Sequence, residues 1–253
     1  MFYAASLITR RTSALSSSAT PSDSSETMVS TWLAGLRRVP GSDWIGGRSE
    51  FILHYDPFTM PTTHLLYLHG FRSSPASNKA RLMAATVASR HPDVAWWCPA
   101  LAASPKLAME EVLQGIAHWP QSSMAVVGSS LGGFYATWLA ERLGCKAVLL
   151  NPAVHPARDL AAYVGDNALW HDPAQSFSFD PAFVAELLAQ EVARISRPER
   201  YFAVIARGDE VLDWREMSGH YPGVAIKLLP AGDHALSDFE QHLADILGFL
   251  ALA

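Results

Sequence analysis

The sequence predicts a doubly wound α/β fold, in which a mostly parallel sheet carries helices on both faces. From residue 64 onward, short apolar runs typical of buried strands alternate with amphipathic helical segments. Parallel strands joined by helices need right-handed crossovers, and these place helices on both faces of the sheet. The chain has 253 residues, 49% hydrophobic and 17% charged, which suffices for one large domain of this class.

The first half of the predicted sheet contains three strands and three helices. Ser77 is a candidate N-cap, Pro92 and Pro120 end segments that precede strands, and Gly144 is expected to close the third helix. The predicted strands span 64–68, 94–98 and 124–127, and the predicted helices span 77–90, 106–118 and 131–143.

The second half adds strands at 147–150, 201–206 and 225–229 and a final helix at 237–250. Residues 155–195, between the fourth and fifth strands, interrupt this alternation with aromatic residues among prolines and polar side chains. We interpret this segment as an inserted cap on a single domain at 60–253. Its aromatic side chains, Trp170 and Phe179 among them, are expected to line a substrate pocket.

Composition excludes several classes of function. The formal charge of −5 offers no basic surface for nucleic acid or an anionic membrane, and no apolar run reaches the roughly 18 residues of a membrane span. Cys98 and Cys145 are too few for a disulfide framework, and they favour a reducing, cytoplasmic location. The ten histidines lack the spacing of a metal site, so no metal is predicted.

The first 59 residues differ in composition from the rest of the chain. Residues 12–30 are rich in Ser and Thr and have no apolar periodicity, so we predict an extension outside the fold. The order of its apolar and basic residues does not match a secretory signal. A transit peptide and a translation start at Met28 or Met60 both remain open, and residues 51–55 could add an edge strand.

One pentapeptide indicates nucleophilic catalysis. Residues 128–132 read Gly-Ser-Ser-Leu-Gly and match G-x-S-x-G, the nucleophile elbow, in which a strained turn between strand and helix exposes one serine. The match follows an apolar strand and opens a helix, as the motif requires. Ser130 is therefore the candidate nucleophile, and Ser129 is the weaker alternative because it precedes the elbow position.

A serine nucleophile needs a histidine to take its proton and a carboxylate to orient that histidine. In hydrolases of this fold, the acid and then the histidine follow the nucleophile on loops after later strands. Asp209 follows the fifth strand and is the favoured acid, with Asp213 and Glu210 as alternatives. His234 follows the sixth strand and is the candidate base.

The tetrahedral intermediate of such a reaction needs backbone amides to stabilise its oxyanion. The candidates are the amides of Leu131, which follows the nucleophile, and Phe71, in the loop after the first strand. This fold places its first and third strands side by side, which would bring Phe71 close to Ser130. Arg72 could contact an anionic substrate group, but a solvated loop residue is the favoured interpretation.

Taken together, the motifs resemble those of the YqiA/YcfP-type bacterial esterases, small enzymes of the α/β-hydrolase fold. The resemblance extends from about residue 60 to the C-terminus and rests on 65–75, 128–134, 151–154, 208–213 and 232–234. It implies hydrolysis of acyl esters or thioesters without a cofactor, with Ser130, Asp209 and His234 as the triad. The alternatives are an acyl thioesterase or C–C bond hydrolase with the same triad, and a binding protein that uses this fold without catalysis.

Overall fold

The computed structural model describes residues 61–168 and 176–252, and the predictions for residues 1–59 and for Trp170 lie outside them. Within this part of the chain, the six predicted strands form one sheet. The helices that connect them begin and end close to the predicted residues. The strands are β1 His64–Leu68, β2 Ala95–Trp97, β3 Met124–Ser129, β4 Lys146–Leu150, β5 Gly165–Ala168, β6 Ser176–Phe179, β7 Tyr201–Ala206 and β8 Ala225–Leu229; the helices are α1 Asn78–Arg90, α2 Pro105–Gly115, α3 Leu131–Leu143, α4 Pro156–Leu160, α5 Ala182–Ala189, α6 Trp214–His220 and α7 Leu243–Phe249.

The strand order in the large sheet is β2-β1-β3-β4-β7-β8, and every neighbouring pair is parallel. The order reverses between β1 and β3, where Leu68 pairs with Gly128. The predicted adjacency of the first and third strands is therefore confirmed. The carboxyl ends of β1, β3, β4, β7 and β8 meet along one edge, which is where ligands bind in sheets of this class.

Both faces of the sheet are buried. Alternate residues of each central strand enter opposite hydrophobic clusters, so that Leu66 and Val126 lie on one face and Leu65 and Val127 on the other. Every residue of β3 and β7 is buried. This explains why these strands appear in the sequence as continuous apolar runs rather than as alternating patterns.

The segment 155–195 contains its own small elements between β4 and β7. Helix α4 is followed by β5 and β6, which pair as an antiparallel hairpin, and then by α5. Phe179 is buried, with 1% of its surface exposed, and belongs to the hydrophobic cluster that also contains Phe134 and Leu187. Side chains of this segment therefore complete one face of the core.

The C-terminal helix differs from the prediction of one helix over 237–250. The chain forms a 3₁₀ helix at Phe239–His242 and then α7. Leu236 adopts a φ of 48°, and Asp233 accepts hydrogen bonds from the Ser237 amide and hydroxyl. The turn fixed by these contacts delays the helix and tightens its first turn.

None of the helices in the described residues is both long and apolar enough to cross a membrane.

Candidate active site

Ser130 lies at the turn between β3 and α3 with a φ of 55° and a ψ of −121°, which is unusual for a residue with a side chain. Such backbone strain is stored where the surroundings enforce it. The glycines of the pentapeptide make the turn possible, since a Cβ on Gly128 would lie 2.1 Å from the Gly132 carbonyl oxygen. A Cβ on Gly132 would lie 2.0 Å from the carbonyl oxygen of Leu68. Side chains at either position would push the neighbouring backbones apart.

Three side chains predicted from the sequence meet at the carboxyl edge of the sheet. The Nε2 atom of His234 lies 3.0 Å from Ser130 Oγ, and its Nδ1 atom lies 2.7 Å from Asp209 Oδ2. The Asp209 side chain has no exposed surface, while His234 retains 20%. These distances connect a hydroxyl, an imidazole and a carboxylate in one hydrogen-bonded chain.

The Asp209 carboxylate is fixed by the backbone as well as by the histidine. Its Oδ1 atom accepts hydrogen bonds of 2.8 Å from the amides of Val211 and Leu212. Oδ2 is thereby left to His234. The three hydrogen bonds hold the carboxylate in one orientation.

The alternative acids have other partners. Asp213 is the N-cap of α6 and accepts a hydrogen bond of 2.9 Å from the Arg215 amide. Glu210 accepts a hydrogen bond of 3.0 Å from the His234 amide, so it contacts the backbone of the histidine. Ser129, the alternative nucleophile, is the buried last residue of β3.

Asn151 holds the histidine loop and was missed by the sequence analysis as a site residue. Its Nδ2 atom donates to the carbonyl oxygens of Asp233 and His234 at 3.0 and 3.2 Å, and its Oδ1 atom accepts from the Ala206 amide at 2.8 Å. The side chain is fully buried. A polar residue directly after β4, at the edge where ligands bind, was the signal that could have identified it.

The loop after β1 lies against the nucleophile. A Cβ on Gly70 would lie 3.1 Å from Ser130 Cβ. His69 is buried in this loop. Its Nε2 accepts a hydrogen bond from the Leu101 amide at 3.2 Å, so its Nδ1 carries the proton and donates to the Gly70 carbonyl at 3.0 Å. The turn that carries Phe71 is thereby fixed next to Ser130.

Phe71 is enclosed by rings from the segment 155–195. Its ring centroid lies 5.5 Å from that of Tyr163, 5.4 Å from Phe177 and 5.6 Å from Phe179, each in an edge-to-face arrangement. The next residue, Arg72, has a φ of 58° and donates through Nε to the Ala168 carbonyl in β5. The loop after β1 is therefore attached to the β5–β6 hairpin, and Arg72 is not simply a solvated residue.

A cavity of about 640 Å³ opens over Ser130 and His234. The apolar part of its wall comes from the loop after β1, the start of the segment 155–195 and the loop after β7. Polar and charged side chains come from the beginning of α1 and also from these three segments. The apolar residues include Phe71, Leu131, Pro156, Leu160, Tyr163 and Leu212, and the polar residues include Arg72, Ser73, Ser77, Asn78, Lys79, Asp159 and Glu210. Phe179, expected at this wall, is instead buried behind Phe71.

Lys79 is a second residue that the sequence analysis missed. Its ammonium group lies in the cavity wall and donates to the carbonyl oxygen of Ala235. Burial lowers its pKa to about 8, and the negative charges of Asp233 and Asp209 oppose that decrease. Lys79 lies in the first turn of α1, the helix that follows the first predicted strand. That position could have indicated a place at the carboxyl edge of the sheet, where ligands bind.

Burial disfavours a cysteine as the nucleophile. Burial raises the pKa of both Cys98 and Cys145 to about 12, so these thiols stay protonated at neutral pH. Within residues 61–168 and 176–252, no group of three or more His, Cys, Asp or Glu side chains could hold a metal ion.

Comparison with protein-family models identifies the family. A model described as an uncharacterised protein family, UPF0227, matches residues 64–251, and the chain belongs to this family. This confirms the resemblance to the YqiA/YcfP-type family. The UPF0227 protein YE1706 of Yersinia enterocolitica is 24% identical over 193 residues, which cover 74% of this chain and 99% of the relative.

Solved structures with the same architecture establish the α/β-hydrolase fold. The alpha/beta hydrolase domain-containing protein 10 from mouse superimposes with a TM-score of 0.57 and 15% identity, covering 76% of this chain and 92% of the mouse chain. Est1E from Butyrivibrio proteoclasticus superimposes with a TM-score of 0.53 and 13% identity, covering 76% of this chain and 86% of its own. At these identities the likeness concerns the fold.

Proposed function

We propose that the protein is a serine hydrolase that cleaves carboxylic acyl esters through an acyl-enzyme intermediate. The observation that carries this proposal is the continuous contact from Ser130 Oγ through His234 to Asp209, at 3.0 and 2.7 Å. A nucleophile, a base and an orienting group within hydrogen-bond reach are the requirements of this chemistry.

In the first half of the reaction, Ser130 Oγ attacks the ester carbonyl carbon while its proton moves to His234 Nε2. The carbonyl oxygen gains negative charge, which the amides of Leu131 and Phe71 stabilise. The intermediate collapses, the bond to the alcohol breaks, and His234 returns the proton to the departing oxygen. Water then repeats these steps on the acyl-serine and releases the acid.

Asp209 acts on the histidine rather than on the substrate. Its Oδ2 accepts a hydrogen bond from His234 Nδ1–H, which keeps that proton on Nδ1. The unprotonated Nε2 can then take the proton of the serine hydroxyl. It also stabilises the positive charge that His234 gains during attack. The two backbone amides on Oδ1 keep the carboxylate in place throughout.

Two observations support a hydrolase over a binding protein. Structures with this fold include proteins named as hydrolases and esterases, such as the alpha/beta hydrolase domain-containing protein 10 from mouse and the esterase domain of a Rhodothermus marinus protein. All three triad positions carry residues able to perform the chemistry, whereas a binding protein has no need to keep them. A thioesterase would use the same steps, with a thiolate leaving in place of an alkoxide. The cytoplasmic location and the cap at 155–195 stay predictions.

The test is labelling with a fluorophosphonate, which reacts with activated serines. We expect the wild-type protein and the Ser129→Ala variant to be labelled and the Ser130→Ala variant to stay unlabelled. Ser130→Ala should also lose about 10⁶-fold of its kcat on phenyl butanoate while its Tm is preserved. A folded Ser130→Ala variant that still hydrolysed the ester would disprove the mechanism, and labelling lost only in Ser129→Ala would move the nucleophile to that residue.

A further inference from the structure

The cavity wall carries a positive charge beside the histidine. Lys79 donates to the carbonyl oxygen of Ala235, the residue that follows His234. His234 in turn contacts Ser130. The ammonium group therefore lies against the loop that carries the histidine, in the wall of the cavity that opens over Ser130.

The ion pairs formed by the described residues do not include Lys79. No carboxylate oxygen of those residues lies within 4.0 Å of its nitrogen. An ammonium has three N–H donors, and the Ala235 carbonyl uses one of them. Lys79 is partly buried. A partly desolvated charge without an ion-pair partner is unfavourable, and an anion bound in the cavity would offset that cost.

The acidic groups near this charge already have partners. Asp209 binds His234 and two backbone amides, and Glu210 binds the His234 amide. Asp159 pairs with Arg158, and Asp233 accepts hydrogen bonds from Ser237. Asp233 and Asp209 therefore act on the lysine through their charge, but neither forms an ion pair with it.

The surroundings of Lys79 also favour an anion. Ser73, Ser77 and Asn78 line the same part of the cavity. Ser77 is the N-cap of the 13-residue helix α1, and its side chain makes no capping hydrogen bond. The positive end of the helix dipole adds to the lysine charge at this place.

The chemistry determines which part of a substrate would reach this place. The leaving oxygen must take its proton from His234 Nε2, so the alcohol portion departs on the histidine side, where Lys79 lies. The acyl portion then has apolar side chains of the segment 155–195, among them Leu160 and Tyr163, which line the same cavity.

We propose that the enzyme hydrolyses acyl esters whose leaving group carries an anion, a carboxylate or a phosphate, and that Lys79 binds that anion. This inference rests on the proposed serine hydrolase function. Lys79 is then a specificity-determining residue, and the charge of the leaving group is the property that it selects.

The test compares three butanoate esters that share an aromatic leaving group: phenyl butanoate, 4-butanoyloxybenzoate and 4-butanoyloxyphenyl phosphate. Each is measured with the wild type and with Lys79→Met and Lys79→Gln, by titration of the released acid. We expect both variants to lose about tenfold more kcat/KM on an anionic ester than on phenyl butanoate, because a charge-assisted hydrogen bond is removed. Comparing variants on the same ester cancels intrinsic differences in reactivity. The carboxylate and phosphate arms show which anion is preferred.

The control is Arg81→Met, which removes an exposed cation from the same helix and should leave all three rates unchanged. If Lys79 only positions the His234 loop, its variants will lower the three rates by one common factor, and the proposal is overturned. A selective loss in Arg72→Met instead of the Lys79 variants would overturn it as well. Absence of Ser130-dependent hydrolysis of all three esters would refute the hydrolase function itself, a separate outcome.

Discussion

The two loops that flank Ser130 are held in different ways. The loop of His234 is tied to the central sheet by hydrogen bonds, two from the buried Asn151 side chain and one to Glu210. The loop of Phe71 is held by rings of the segment 155–195 and by the bond from Arg72 to Ala168. The proposed base depends on the sheet, and the proposed oxyanion amide depends on the segment 155–195.

The difference has a physical consequence. Hydrogen bonds are directional, and a buried group that loses its partner keeps the full cost of desolvation. Ring contacts are broad, and neighbouring side chains can move to fill part of a gap. We therefore expect damage on the histidine side to abolish most of the activity, and damage on the Phe71 side to reduce it by smaller steps.

The largest effect should come from the histidine side with Asp209→Asn. An amide at this position cannot hold the histidine proton on Nδ1, so kcat should fall by about 10⁴-fold. Asp213→Asn is the control, because Asp213 caps α6, and it should cost about 1 kcal/mol of stability at most with kcat retained. Steady-state kinetics and thermal melts measure both. A greater loss of kcat in Asp213→Asn would transfer the acid role to that residue.

A smaller loss is expected from Asn151→Ala, which leaves the histidine intact but releases its loop. Three hydrogen bonds disappear at a fully buried site, so kcat should fall by about 10- to 100-fold and the unfolding free energy by a few kcal/mol, about 1–3 kcal/mol per unsatisfied group.

The matched control for Asn151→Ala is Asn167→Ala. Asn167 is also buried and also donates through Nδ2 to two carbonyls, those of Tyr163 and Gly165, but it lies in the segment 155–195. Its variant should lower the Tm with a much smaller change in kcat. Equal losses of kcat in the two variants would contradict the expectation that damage on the histidine side lowers activity more than damage in the segment 155–195.

On the Phe71 side, Phe177→Ala should reduce kcat by about three- to tenfold. The ring of Phe177 supports Phe71, whose amide is proposed to stabilise the oxyanion, and a displaced donor weakens that stabilisation. KM should change little. Phe183→Ala is the control, since Phe183 contacts Phe179 rather than Phe71. A shift in preference among acyl chain lengths with kcat unchanged would instead assign Phe177 to the substrate pocket.

The smallest effect concerns acid stability of the contact between the segment 155–195 and α6. His220 contacts the ring of His155, and burial together with the nearby charge of His155 lowers the pKa of His220. The unfolded chain then binds a proton more readily than the fold, so stability is complete above about pH 6.5 and falls as the pH drops below it. His220→Phe should flatten the dependence of Tm on pH between 7 and 5. An unchanged slope would exclude this histidine as a source of acid sensitivity.

Most of the sheet could be predicted because its strands are defined by local sequence. β7 and β8 begin and end at the predicted residues, since both are apolar runs between turn residues. The elbow was predictable because glycine is the residue that fits where backbones approach within contact distance, as at Gly128 and Gly132. Gly144 adopts a left-handed φ of 72° at the end of α3, as expected for a residue that closes a helix.

Other features could not be predicted because their causes lie far away in the chain. In the hairpin of β5 and β6, β5 is mostly polar and β6 alternates Ser and Phe over four residues only, and the position of the hairpin depends on rings that surround Phe71 about 100 residues earlier. The late start of α7 follows from a turn stabilised by Asp233 and Ser237. The local sequence favoured one helix over 237–250, but the hydrogen bonds between Asp233 and Ser237 stabilise a turn instead and the helix begins later.

The sequence by itself therefore determined the six strands of the large sheet and the residues at its carboxyl edge, because hydrophobic periodicity and the steric needs of glycine act over a few residues. Only the tertiary structure decided which of Asp209, Glu210 and Asp213 reaches the His234 ring, and what Asn151 and Lys79 contact. These outcomes depend on side-chain directions and on loops that meet across the sheet edge. A sequence places such residues on neighbouring loops, but the hydrogen bonds between them are set by packing.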